Sequence, residues 1–200
     1  MNYKIFSVVL LILSLLFFDK TQSQLSLKKS CNCIRWQTDA LFNWSLYRKL
    51  ASKIDTFPSA RTASFTRLIM EDEPALRICK VVAYTCFDSC NSWVNSGVEY
   101  NSTLLSHEKG HWDIQEIATR KLRKTLLEFN FQNGMNNNLV HIIDSLFRSN
   151  KKQLEQFNLD YDSATDYSKN LSQQIEWNKI IISELKHYEQ YDDSVLMLDY

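Results

Sequence analysis

"LLSHEKGHWDIQEI", Leu104 to Ile117, holds two of the four histidines of a 200-residue chain, four positions apart, with a glutamate directly after the first. Leu104, Leu105, Ile114, Ala118, Leu122 and Leu126 recur at helical intervals, and Ser102 or Thr103 can cap the start. The spacing therefore predicts a helix over Leu104–Phe129. Residues four apart on a helix stand one above the other, with Cβ atoms about 5–6 Å apart. Two imidazoles so placed, His107 and His111, can converge on one zinc ion, which accepts nitrogen at about 2.0–2.1 Å. Glu108 lies about 100° further round the helix, off the ion but within reach of a water bound there. Zinc lowers the pKa of such a water from about 15.7 toward 7, and the carboxylate can take its proton as the water attacks a carbonyl carbon. The competing reading is an ordinary polar helix start, with two half-exposed histidines and Glu108 as a favourable first-turn charge.

A catalytic zinc also needs a third protein ligand. The metzincin pattern would put a histidine six residues after His111 and a glycine at the third place, but Ile117 and Ile114 stand there. That class is excluded. Glu116, nine residues from His107, faces the opposite side of the helix and suits an i,i+4 pair with Arg120. The third ligand must come from downstream. His141, beside Ile142 and Ile143, reads as a core or boundary histidine, and His187 lies close to the C-terminal tail.

Outward from the motif, "LRICKVVAYTCF" (Leu76–Phe87) has the β-branched content and alternation of a strand. "DSCNSWVNSGVEYNST" supplies turn residues between that strand and the helix. Glycine and clustered asparagines in "NFQNGMNNN" end the helix. Further helices fit Leu139–Phe157 and Lys169–Tyr188, and between them "NLDYDSATDYS" has the composition of an ordered loop. Ser30–Ile69 is mixed: "CNCIRWQ" suits a short strand, "LFNWSLYRKLASKI" has helical spacing at Leu41, Trp44, Leu46 and Leu50, and "DTFPSA" is a loop. Trp36, Trp44, Trp93 and Trp177 read as core, with Trp93 near enough to the motif to line a cleft.

At the N-terminus, Lys4 precedes an apolar run from Ile5 to Phe18, too short for the roughly 20 residues that span a bilayer, followed by Thr21 and Ser23. Residues 1–23 are therefore expected to be a signal peptide, leaving 24–200 as one exported domain without stable membrane insertion. The chain has 23 basic and 23 acidic residues, and loss of the signal leaves 21 against 22. Such a balance gives no steering toward nucleic acid. Five cysteines in an oxidising compartment allow one or two disulfides, with about fifteen pairings of four. "NWS", "NST" and "NLS" match the N-glycosylation triplet.

"SWV", "LLSHEKGHWDIQEIATRKLRKTL", "YDSATDYS" and "QQIEWNKII" together resemble a family of bacterial exported proteins described as zinc-dependent proteases and catalogued as domain of unknown function 922. The likeness covers roughly Trp93 to Leu185. It implies His107 and His111 as metal ligands and Glu108 as catalytic base. The family's Tyr-Asp-x-x-Thr-x-His element aligns with Tyr161, Asp162 and Thr165, but Tyr167 stands in place of its histidine. On that alignment Tyr167 is the favoured third ligand, with Asp162 and Asp166 as alternatives; Tyr167 could equally pack on Trp177 or Tyr161.

The expectation is an α+β, zincin-like fold, a small N-terminal sheet packed on the motif helix with two further C-terminal helices. Its expected function is zinc-dependent hydrolysis of a peptide or protein substrate. The alternative is a non-enzymatic exported binding module that keeps the fold with a degenerate metal site.

Overall fold

The strand β5 (Ile78–Asp88) is the one around which the main sheet assembles. Cys79, Val81 and Ala83 alternate onto one face and are buried there, while Val82 and Tyr84 on the other face are half-buried. The computed structural model describes residues 33–50, 59–98, 101–131 and 139–200. β4 (Ser64–Glu73) pairs antiparallel with β5, Ser64 opposite Phe87 and Glu73 opposite Ile78. Arg77, at a left-handed φ of 54°, completes the turn between them. On the other side of β5, β1 (Cys33–Arg35) and β7 (Val195–Asp199) pair antiparallel with different stretches, Cys33 opposite Asp88 and Val195 opposite Val82. A disulfide joins Cys33 to Cys86. A smaller sheet has β6 (Trp93–Asn95) at its centre, parallel to β2 (Arg48–Leu50) and antiparallel to β3 (Ala60–Arg61).

Among the described residues there are three α-helices: α1 (Ser102–Glu128), which packs on β4, β5 and β7, and α2 (Leu139–Thr165) and α3 (Leu171–His187), which pack on α1 and on each other. The protein is thus a mixed α+β fold with small sheets. Asn101 caps α1 by accepting from the Leu104 amide, and Asn170 caps α3 by accepting from that of Gln173. Asn43 does the same for a short 3-10 turn, Trp44–Leu46. All three glycosylation-type triplets therefore begin at a helix-capping asparagine, where the side-chain oxygen satisfies an N–H that has no partner within the helix.

α1 is enclosed by the other elements. Leu122 and Leu126 pack with Val81, Leu196, Leu198 and Ile143, and Ile114 and Ile117 with Tyr161 and Ile181. Leu104 and Trp112 close on Trp44, Tyr47 and Phe87. Each such aliphatic side chain contributes about 1.5–3 kcal/mol when fully buried. Enclosure also demands partners for the polar side chains. Thr119 Oγ1 lies 2.6 Å from Thr66 Oγ1 and 2.7 Å from Thr85 Oγ1, and Gln115 Nε2 donates to Thr66 at 2.9 Å.

Several sequence expectations shift. The N-cap of α1 is Asn101, one residue before those proposed. "LFNWSLYRKL" forms a 3-10 turn and then β2 instead of a helix, because Asn43 closes a single turn and residues 48–50 pair with β6. α2 runs to Thr165 and absorbs most of the expected loop, since packing of Tyr161 and Thr165 against α1 overrides the turn preference of the Asp and Ser residues. The main sheet is not purely N-terminal, because β7 joins it. His141 and His187 are exposed. The expected signal peptide, Cys31, most of "DTFPSA" and most of the asparagine cluster lie outside the described residues. Among those described, no helix is long and apolar enough to cross a membrane.

Candidate metal centre

His107 and His111 occupy the second and third turns of α1, where their Nε2 atoms lie 3.3 Å apart. From α2, Asp162 brings Oδ1 to 3.1 Å from His107 Nε2 and 3.0 Å from His111 Nε2. Ligands about 2.0–2.1 Å from a tetrahedral zinc are about 3.3 Å from one another. The three atoms therefore outline a triangle close in size to one face of that tetrahedron.

The outer nitrogens decide what the inner ones can be. Asn158, one turn before Asp162 on α2, donates its Nδ2 to the Leu154 carbonyl and so turns Oδ1 toward His111 Nδ1, 2.7 Å away. Gln174 on α3 donates Nε2 to the Tyr161 hydroxyl at 2.7 Å and to Asn178 Oδ1 at 2.9 Å, which turns its Oε1 toward His107 Nδ1 at 3.1 Å. Both Nδ1 atoms thus carry the proton and donate it to an amide oxygen. The neutral rings present bare Nε2 lone pairs to an ionised carboxylate. Three acceptors this close repel unless a cation lies among them, and a proton or a divalent metal ion satisfies that need. The donor set, two imidazoles and one carboxylate, is one that zinc accepts. Among the described residues these three side chains form the group of His, Cys, Asp and Glu that could hold a metal ion.

The metal-free electrostatics follow from the same contacts. Burial lowers the His111 pKa, but the Asp162 hydrogen bond and the Glu108 and Asp162 charges outweigh it and raise the ring above its ordinary value. Burial raises the Asp162 carboxyl, yet the two imidazoles pressed against it, His107 and His111, hold it well below the usual carboxylate range. Without metal, a proton on His111 facing ionised Asp162 is the favoured arrangement.

Glu108 is 4% exposed and lines the same cleft, of about 380 Å³, as the three metal-compatible side chains. Thr62, between β3 and β4, donates its hydroxyl to Glu108 Oε2 at 2.6 Å. Tyr47 lies 2.6 Å from the Thr62 oxygen and, with the Thr62 proton committed, acts as donor. Burial and the Glu108 charge raise the Tyr47 pKa, against the Thr62 hydrogen bond. The phenol therefore keeps its proton and the relay keeps its direction.

Tyr161 braces the imidazoles from beneath. Its ring stacks on His107 at 4.6 Å and its hydroxyl donates to the His107 carbonyl at 3.1 Å. Gly110 permits this, since a Cβ there would fall on the phenol, 2.7 Å from Cζ. After α2 the chain turns through three consecutive left-handed residues, Asp166, Tyr167 and Ser168, at φ 43°, 51° and 76°. Each costs about 1–2 kcal/mol for a residue with a Cβ.

The structure thus brings together His107, Glu108 and His111 from the predicted site. Tyr167 lines the same cleft, 44% exposed, while the carboxylate bonded to both imidazoles is that of Asp162. Asn158, Thr62 and Tyr47 went unrecognised in the sequence. Gln174 and Asn178 lie within "QQIEWNKII", one of the stretches that carry the resemblance, and that was the one signal that pointed to them. No family model, curated protein or solved structure matches the chain.

Proposed function

We propose that the protein is an exported zinc-dependent hydrolase of polypeptide substrates, with a zincin-like arrangement of site helix and sheet. The observation that carries this reading is the convergence of two tautomer-fixed imidazoles and a carboxylate on one point beside Glu108. His107, His111 and Asp162 would hold the ion. When bound, zinc supplies Lewis acidity and a water acidified toward neutral pH. Glu108, oriented by Thr62, accepts a proton from the attacking water and returns it to the leaving amine. Tyr161, Gln174 and Asn158 keep the rings in register and the Nδ1 protons in place.

A second cleft supports a polypeptide substrate. It encloses about 540 Å³ and shares Arg61, Thr62 and His111 with the first, so the two meet at the site. One wall is the start of β4, whose only pairing among the described residues is with β5; the other is α2, through Phe147, Lys151 and Leu154. A free strand edge offers unpaired amides and carbonyls to an extended chain, and the opposite wall offers contacts to its side chains.

One observation favours a second reading as a non-catalytic binding module. His111 and Asp162 satisfy each other without metal, and neutral amides are weaker supports for ligand imidazoles than carboxylates. Metal analysis of protein purified without added zinc, beside hydrolysis of unfolded casein, separates the two. The enzyme reading expects about one zinc per chain, and Glu108→Gln that keeps the metal while losing roughly 10²–10⁴-fold in rate. Absence of metal, or equal rates in both proteins, would favour the binding module.

A further inference from the structure

Far from the metal-compatible triad along α1, a second polar cleft of about 300 Å³ is lined by Arg120 and Arg123 of α1, Arg35 of β1 and Asp192 before β7. Arg120 and Arg123 are 4% and 2% exposed, and they share one carboxylate, Glu116, itself 3% exposed. Glu116 Oε1 accepts from Arg120 Nε at 3.0 Å and from Arg123 Nη1 at 3.2 Å. Arg120 Nη1 also donates to the Leu185 carbonyl, and Arg123 donates through Nε to Ala83 and through Nη1 to Tyr191.

A guanidinium has five N–H donors. Those contacts use two on Arg120 and three on Arg123, leaving both Nη2 groups without an acceptor among the described residues. Among the described residues the sealed side-chain polar atoms without a partner are Trp44 Nε1 and Trp112 Nε1, and neither Nη2 is one of them. The free donors therefore reach open space, and the space both residues line is this cleft.

Its charge is unbalanced in the same sense. Three guanidinium groups face two carboxylates, Glu116 and the exposed Asp192. Arg35 is spent on the Tyr84 ring, its Cζ 3.8 Å from the centroid. Burial and the Arg120 charge depress the Arg123 pKa, against the pull of Glu116 and Asp192. Excess buried positive charge with unused, rigidly held fork donors is the chemistry that captures an oxyanion.

We propose that this cleft binds a small oxyanion, a phosphate or a carboxylate, on the free Nη2 edges of Arg120 and Arg123. The proposal is independent of the metal reading. A ligand that binds only the folded chain raises its melting temperature, so the full-length protein is melted and titrated calorimetrically with phosphate, acetate and chloride at constant ionic strength. Phosphate or acetate should stabilise beyond chloride, and the stronger of the two identifies the ligand as phosphate-like or carboxylate-like. Arg35 and Asp192 are exposed, so their substitution leaves the core intact. Arg35→Gln should weaken the oxyanion about 3- to 10-fold, and Asp192→Asn, which removes a repelling charge, should tighten it by a similar factor. No preference for either oxyanion over chloride, or no change of affinity in both variants, would overturn the site.

Discussion

Asp162 Oδ1 can serve either a proton on His111 or a metal ion shared with the two imidazoles, and that competition would make both stability and metal affinity depend on pH. The His111 ring, with a folded pKa above its unfolded value of about 6.5, adds stability that is full below 6.5 and is lost as pH rises through the folded value. Asp162, with a folded pKa below about 3.9, adds stability above 3.9 that is lost as pH falls through the folded value. In the metal-free protein the pair therefore contributes most between about pH 4 and 6.5. The melting-temperature difference between wild type and Asp162→Asn should be widest in that window. A zinc ion bound there would run the other way, since it would have to displace the His111 proton. Its affinity should rise by up to about tenfold per pH unit and level off only above the raised His111 value. A zinc affinity flat from pH 5.5 to 8 would exclude His111 as a ligand.

At the scale of elements, the site depends on how closely α1 and α2 approach. At Gly110 the Tyr161 ring fills the space a Cβ would take, and Tyr161, fully buried, cannot retreat while its hydroxyl serves both the His107 carbonyl and Gln174. Gly110→Ala gains up to about 1 kcal/mol of helix propensity and loses about 1–3 kcal/mol to overpacking. The melting temperature should fall by several degrees and zinc affinity should drop, because the displaced ring is the one stacked on His107. Unchanged melting and unchanged affinity would mean that the helices have room to part. The same contact explains what could be read from the sequence. The period of α1, the alternation of β5 and the two later helices were visible, because their apolar residues repeat in register with the element. The end of α2 was not. Asn158, Tyr161, Asp162 and Thr165 are polar or turn-favouring, and their helical spacing acquires meaning only against α1. For that reason Asp162 was one alternative among several for the third ligand. β2 was obscured by the opposite effect: leucines and a tryptophan at helical intervals, in a segment whose structure is set by pairing with β6.

Across the whole molecule, the two ends of the described chain meet on β5, with β1 beside Cys86–Asp88 and β7 beside Ile78–Val82. β1 is only three residues long, and its pairing alone is too short to hold it. The Cys33–Cys86 disulfide supplies the rest. Its consequence extends to α1, because Trp36, directly after β1, donates its indole N–H to Asp113 at 2.8 Å and lies under the Arg120 guanidinium, 5.1 Å from the ring. Closing a loop with a sequence separation of 53 removes up to about 4 kcal/mol of unfolded-state entropy, and native disulfides commonly contribute about 2–4. Replacing both cysteines by alanine should therefore lower the melting temperature by roughly 5–15 °C. The metal-compatible triad is assembled from α1 and α2 and braced by α3, none of which the disulfide joins. Zinc content per folded chain should then be unchanged below the new transition. Loss of zinc from the still-folded double variant would show instead that β1, acting through Trp36 and Asp113, sets the pitch of the site helix.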